Sequence, residues 1–149
     1  MTPRLSYREI APETLKPMLD LEASVRSSGL ETSLIHLVKV RASQINGCAF
    51  CIHMHTAEAR KDGESEERLY LLDGWRESPL YTDRERAALR WTEALTLVAA
   101  THAPDEDYAA LQAQFSKEEQ VKLTLAIVTI NGWNRISVGF RAIHPHGGR

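Results

Sequence analysis

The sequence predicts an all-α protein, a single domain of 149 residues folded as a bundle of about six helices. Three observations predict it. Apolar residues recur at helical spacing, not in alternation, in successive segments. Two hydroxyl-x-x-glutamate patterns, Thr82-Asp83-Arg84-Glu85 and Ser116-Lys117-Glu118-Glu119, are capping boxes that open helices. No internal repeat or low-complexity linker divides a chain of this length, which is that of one ordinary domain able to bury a core.

Taken in order, residues 1–11 show little periodicity and read as an extended arm. Pro12-Glu13-Thr14 then opens a helix carrying Leu15, Met18, Leu19, Leu21 and Val25, since proline and an acid suit a helix start. Ser27-Ser28-Gly29 closes it. A second helix runs from about Thr32 to Ile45, and Asn46-Gly47 breaks the chain before Cys48. The third starts at or just after Cys48 and stops at Asp62-Gly63. Ser65-Glu66-Glu67 begins a short helix reaching Trp75, and Thr82 caps a strongly patterned one that Ala103-Pro104 ends. Asp105 caps another short helix, through Leu111. Residues 121–140 are the most apolar part and rich in β-branched side chains, so a strand is conceivable. The explicit cap at Ser116 and the length of the segment favour a helix, buried on nearly every side in the core or against another subunit. The tail from His144 is expected to be irregular.

A formal charge of −2 and a pI near 6.3 give no electrostatic reason to expect nucleic acid or an anionic membrane as partner. The N-terminal residues lack the apolar core of a signal peptide, and the longest apolar run, residues 123–130, is far short of the roughly 20 residues that span a bilayer. The expected place is the cytoplasm, where a CxxC pair is more often catalytic or metal-binding than a structural staple.

Both cysteines lie in one stretch, Ser43-Gln44-Ile45-Asn46-Gly47-Cys48-Ala49-Phe50-Cys51-Ile52-His53-Met54-His55. Cys48 and Cys51 are about one helical turn apart, and His55, four residues beyond Cys51, falls on their face. Three readings fit two thiols at this spacing. A redox pair needs one thiolate, its pKa brought down from ~8.5 by a helix N-terminus or a histidine, and a second thiol to resolve the product. A zinc site needs two further ligands. The third reading is a pair of buried structural cysteines. The helix start at Cys48 and the partner His55 favour redox chemistry. No second CxxC, CxH or HxxxH pair supports zinc, although His36, His53 and His102 stand as lone ligands. Lys39 and Arg41 read as a solvated face, His53 as a surface residue, and Trp75, Trp91 and Trp133 as core or interface anchors.

The run Val38-Lys39-Val40-Arg41-Ala42-Ser43-Gln44-Ile45-Asn46-Gly47-Cys48-Ala49-Phe50-Cys51, its His55, and the later Ile130-Asn131-Gly132-Trp133-Asn134-Arg135-Ile136 resemble the AhpD-like alkylhydroperoxidase branch of the carboxymuconolactone decarboxylase superfamily. The resemblance covers residues 15–143. It implies a helical fold assembled into dimers, trimers or hexamers, and a thiol peroxidase acting on hydrogen peroxide or organic hydroperoxides. An external dithiol reductant is implied as partner, with no bound cofactor and no metal. It assigns Cys51 as the attacking cysteine, Cys48 as the resolving one and His55 as the relay histidine. The relay of that branch begins with a glutamate twelve residues before the first cysteine, a position held here by His36. A histidine can serve as base or acceptor near pH 7, but it supplies no fixed negative charge. Phe50 also stands where the best-studied members carry a histidine. The alternative is a metal-binding or redox-sensing module built on Cys48, Cys51, His55 and His36, without turnover.

Overall fold

The structure is a computed structural model, which describes residues 1–145; the last four residues of the expected tail lie outside it. All regular elements among those residues are helical. They are α1 (Tyr7–Ile10), α2 (Pro12–Arg26), α3 (Thr32–Ile45), α4 (Ala49–Lys61), α5 (Glu66–Tyr70), a 3₁₀ turn (Leu72–Gly74), α6 (Asp83–Thr96), α7 (Val98–Thr101), α8 (Asp105–Gln114) and α9 (Lys117–Phe140). The count exceeds six because short turns are included. The long helix expected after Thr82 breaks at Leu97 into α6 and α7, and the segment after Ser65 ends in the 3₁₀ turn.

Both capping boxes form as the sequence expects. The Thr82 and Ser116 hydroxyls accept the Glu85 and Glu119 amides, and each glutamate carboxylate accepts the cap's own amide. Each such hydroxyl cap is worth about 1 kcal/mol.

Helix α3 is the centre of the bundle, packed against α4, α6 and α9. It is buried at every position from 34 to 40. One core cluster joins Leu34 and Val38 to Trp91 of α6 and to Leu123 and Ile127 of α9. A second joins Leu37 and Val40 to Ala59, Leu72, Trp75 and Leu89. This arrangement corrects the reading of Lys39 as a solvated residue. Its side chain is only 2% exposed and ion-paired with Glu22 of α2. Arg41 is likewise paired, with Asp73 and Glu93. A central helix leaves no solvated face, so its cations must meet carboxylates.

The expected arm is not wholly extended. Tyr7–Ile10 makes one helical turn that docks on the end of α9, where the Tyr7 and Phe140 rings lie 5.5 Å apart. Arg4 donates through its amide to the Phe140 carbonyl (2.9 Å) and through Nη1 to the Gly139 carbonyl (3.0 Å). The last carbonyls of any helix lack helical partners, and the arm supplies them.

Helix α9 is buried along one side through Leu123, Ala126, Ile127, Ile130 and Asn134. Its opposite side leaves Val121 69% and Val128 54% exposed, with Leu125 between them. The expected burial on all sides is thus absent within one subunit. No helix of the described residues is long and apolar enough to cross a membrane.

Candidate active site

The Asn46-Gly47 turn ends α3 and aims the chain into α4. Gly47 has φ +64°, a left-handed conformation that glycine adopts without steric cost. Three buried polar residues lock the turn to α9. Asn46 Nδ2 donates to Asn131 Oδ1 (3.0 Å) and Asn134 Oδ1 (2.9 Å), and Asn134 Nδ2 donates to Ser43 Oγ (3.0 Å). The Cys48 amide donates to the Ser43 carbonyl at 3.0 Å. Asn134 is therefore an internal brace. Asn134→Ala leaves Asn46 and Ser43 short of partners, and is expected to cost about 1–3 kcal/mol of stability, read by chemical denaturation. Unchanged stability would show that the brace is not needed.

Cys48 caps α4, its sulfur accepting the Cys51 amide at 3.3 Å. The two sulfurs are joined as a disulfide, with Cα atoms 5.3 Å apart, and each cysteine is 1% exposed. They open on different cavities. Cys51 and His55 line one of about 200 Å³, together with Leu19, Phe50, Met54 and Trp133. Cys48 lines another of about 340 Å³, with Arg4, Gly47 and Arg141. Phe50 and Ser137 border both. Trp133 is thus a cavity residue, whereas Trp75 and Trp91 are core as expected.

Behind His55 stands Glu58, one turn further along α4. The two meet at 3.0 Å, His55 Nδ1 to Glu58 Oε2. The other Glu58 oxygen accepts from Arg26 Nη2 at 3.4 Å, and Arg26 Nε reaches Glu22 at 3.1 Å. Burial holds His55 below its ordinary 6.5, partly opposed by the Glu58 hydrogen bond. The same bond, outweighing burial and helped by the neighbouring positive charges, lowers Glu58 to about 2. For Glu22, burial alone would raise the pKa, but Lys39 and Arg26 outweigh it and hold the carboxyl below its usual range. These directions agree on one state. Glu58 is ionised and can only accept, so a neutral His55 must carry its hydrogen on Nδ1 and keep Nε2 free as a base. The twelve-residue spacing before Cys48 points to position 36 and not to Glu58. The available signal was a carboxylate three residues beyond a helical histidine.

His36 is buried, but it is not the partner of His55. Its Nε2 pairs with Asp62 Oδ2 at 2.7 Å, and its Nδ1 has no partner among the described residues. It shares a cavity of about 180 Å³ with Arg26, Lys39, Glu58 and Asp62. His53 is exposed as expected and stacks on His144 at 4.9 Å. His102 ends α7 in a left-handed conformation. Among the described residues, no three histidine, cysteine or carboxylate side chains are placed to hold a metal. The four residues of the metal-binding alternative are not brought together, since His36 turns to Asp62.

Helical packing around a capped, histidine-backed cysteine pair defines a class of all-α dithiol proteins. The comparisons identify it. A model of the carboxymuconolactone decarboxylase family matches residues 12–94. An uncharacterized protein of Bacillus subtilis, YdfG, is 46% identical over 138 residues, covering 93% of this chain and 94% of its own. A crystal structure from Agrobacterium tumefaciens superposes with a TM-score of 0.96 at 53% identity, covering 98% of this chain and all of the other. That protein, of unknown function, carries a provisional assignment as the antioxidant defence protein AhpD. The debrominase Bmp8 shares the fold at a TM-score of 0.79 and 17% identity, over 90% of this chain and 72% of its own. The chain belongs to the carboxymuconolactone decarboxylase family, as an AhpD-like member.

Proposed function

We propose that the protein reduces hydroperoxides through a dithiol–disulfide cycle at Cys48 and Cys51. The observation that carries this reading is the bonded cysteine pair at the start of α4, with His55 and Glu58 behind Cys51 on one side of the helix. In the reduced protein, His55 Nε2 takes the Cys51 proton. The thiolate attacks the terminal oxygen of the hydroperoxide, the O–O bond breaks, and His55 returns the proton to the leaving alkoxide. Cys51 is left as a sulfenic acid, which the Cys48 thiol displaces to form the disulfide and release water. An external dithiol then restores both thiols. The cycle calls for no bound cofactor, and a reducing compartment such as the cytoplasm suits it. Leu19, Phe50, Met54 and Trp133 give the Cys51 cavity an apolar lining that fits an organic hydroperoxide. His36 lines a cavity together with Glu58, with its own ring paired to Asp62.

The test is to add one equivalent of hydroperoxide to reduced protein and follow thiols and intact mass. Loss of two thiols with a mass decrease of about two hydrogens, repeated when a dithiol is supplied, supports the cycle. A single oxidation without repeated turnover points instead to redox sensing.

The exposed Val121, Leu125 and Val128 stripe on α9 is proposed to meet a second copy of the chain, because apolar patches of this kind mark interfaces. Val128→Glu is expected to lower the mass measured by light scattering. A wild type already monomeric would remove the proposal.

A further inference from the structure

The disulfide has two faces with different surroundings, which bears on how it is reduced. We propose that reduction begins at Cys48, by a thiol bearing a carboxylate that is held by Arg4 and Arg141. The inference rests on the dithiol cycle proposed above and names the chemistry of its electron donor.

A thiolate attacks a disulfide in line with the S–S bond, so a donor for Cys48 must approach from the side away from Cys51. Cys48 lines a cavity of about 340 Å³ with Arg4 and Arg141, and Cys51 is not among the residues lining it. No carboxylate lines it, and neither arginine pairs with one among the described residues. Arg4 is held in place by its bonds to the Phe140 and Gly139 carbonyls, and Arg141 follows directly on the end of α9. The Cys51 cavity is different. Its arginines, Arg8 and Arg26, share the lining with Glu22, and its remaining surface is largely aromatic and aliphatic. Glu22 pairs with Arg26 and Lys39, which leaves Arg8 as the one arginine there without a carboxylate among the described residues. Against it stand Arg4 and Arg141 on the Cys48 side, so an anionic donor meets the larger uncompensated positive charge there.

The exchange in this direction runs in two steps. Attack on Cys48 forms a mixed disulfide between the donor sulfur and Cys48, breaks the S–S bond, and expels Cys51 as the thiolate. That leaving group departs beside His55, which takes a proton from solvent on Nε2 and passes it to the Cys51 thiolate. A second donor thiolate then attacks the donor sulfur of the mixed disulfide. It releases the oxidised donor and the Cys48 thiolate, which takes a proton from solvent. Two donor thiols are oxidised to one disulfide, and the protein gains two electrons and two protons.

The probes are 3-mercaptopropionate, 2-mercaptoethanol and cysteamine, which are anionic, neutral and cationic. Each is added to the oxidised protein at equal thiolate concentration, without peroxide. Samples are quenched in acid, and the adduct is located by peptide mass mapping. The anionic thiol is expected to react roughly three- to tenfold faster than the neutral one at low salt, with the advantage shrinking as salt is added. The adduct should sit on Cys48. The Arg4→Gln/Arg141→Gln variant should bring the anionic rate down to the neutral rate, and the lysine pair should restore the preference. Adducts on Cys51, or no charge preference in the wild type, would overturn the proposal without any variant. Peroxide consumption is measured separately. If peroxide turns over while these outcomes fail, the donor assignment falls and the cycle stands. If they succeed without peroxide turnover, the reverse holds.

Discussion

Cys51→Ser is expected to abolish hydroperoxide consumption, whereas Cys48→Ser should retain the first chemical step. Cys51 shares its cavity and its helix face with His55, whose Nδ1 is taken by Glu58 and whose Nε2 is left as a base. Cys48 lies on the far side, where its sulfur caps α4 and accepts the Cys51 amide. Without the Cys48 thiol, the Cys51 sulfenic acid has no internal partner and should be trappable by a sulfenic-acid reagent. Turnover should then stall after one equivalent. A competing influence makes this a real test. The helix start favours an anion at Cys48 as much as His55 favours one at Cys51. If Cys48→Ser blocks the first step and Cys51→Ser leaves a trappable sulfenic acid, the roles are reversed.

Glu58→Gln should slow peroxide reduction about 10- to 100-fold while the protein stays folded, by analogy with the loss of a carboxylate that orients a working histidine. Taking the Cys51 proton makes His55 positive, and Glu58 is the charge that stabilises that state. Without it the thiolate titration of Cys51, followed in the reduced protein by absorbance, should move to higher pH. The variant should also reveal itself in stability. Glu58 is lowered to about 2 from an ordinary 4.5, so its contribution is present above 4.5 and is lost as pH falls toward 2. His55, held below 6.5 by burial, works in the same direction, because the unfolded chain takes up its proton first as pH falls. The stability advantage of wild type over Glu58→Gln should thus be lost as pH falls from about 4.5 toward 2. Equal peroxide rates and an unmoved thiolate titration would remove Glu58 from the mechanism.

Much of the site was legible because it is local. Asn46-Gly47, the cap at Cys48 and the four-residue step to His55 are set by turn and helix geometry, and each forms as the spacing implies. The capping boxes of α6 and α9 were legible for the same reason. The relay was not. The spacing to His36 points across from α3, but packing turns that ring to Asp62, and the carboxylate that meets His55 is Glu58 on α4. That the His36 ring meets Asp62 is decided by how α3 and α4 cross, which no single-helix pattern carries, whereas the His55–Glu58 pair is a three-residue step within α4.

The sequence by itself determined the helices, the turn that aims Cys48 into α4, and the dithiol with His55 on one face, since all of these depend on neighbours within a few residues. Only the tertiary structure decided that α3 is the buried centre, so that Lys39 must pair with Glu22, and that Asn134 braces the turn from α9. It also decided that the two sulfurs open on separate cavities, one of them bearing Arg4 and Arg141 from the two ends of the described chain. Those outcomes depend on burial and on contacts between residues far apart in the chain, where the cost of an unpaired charge or polar group is set by the neighbours that packing supplies.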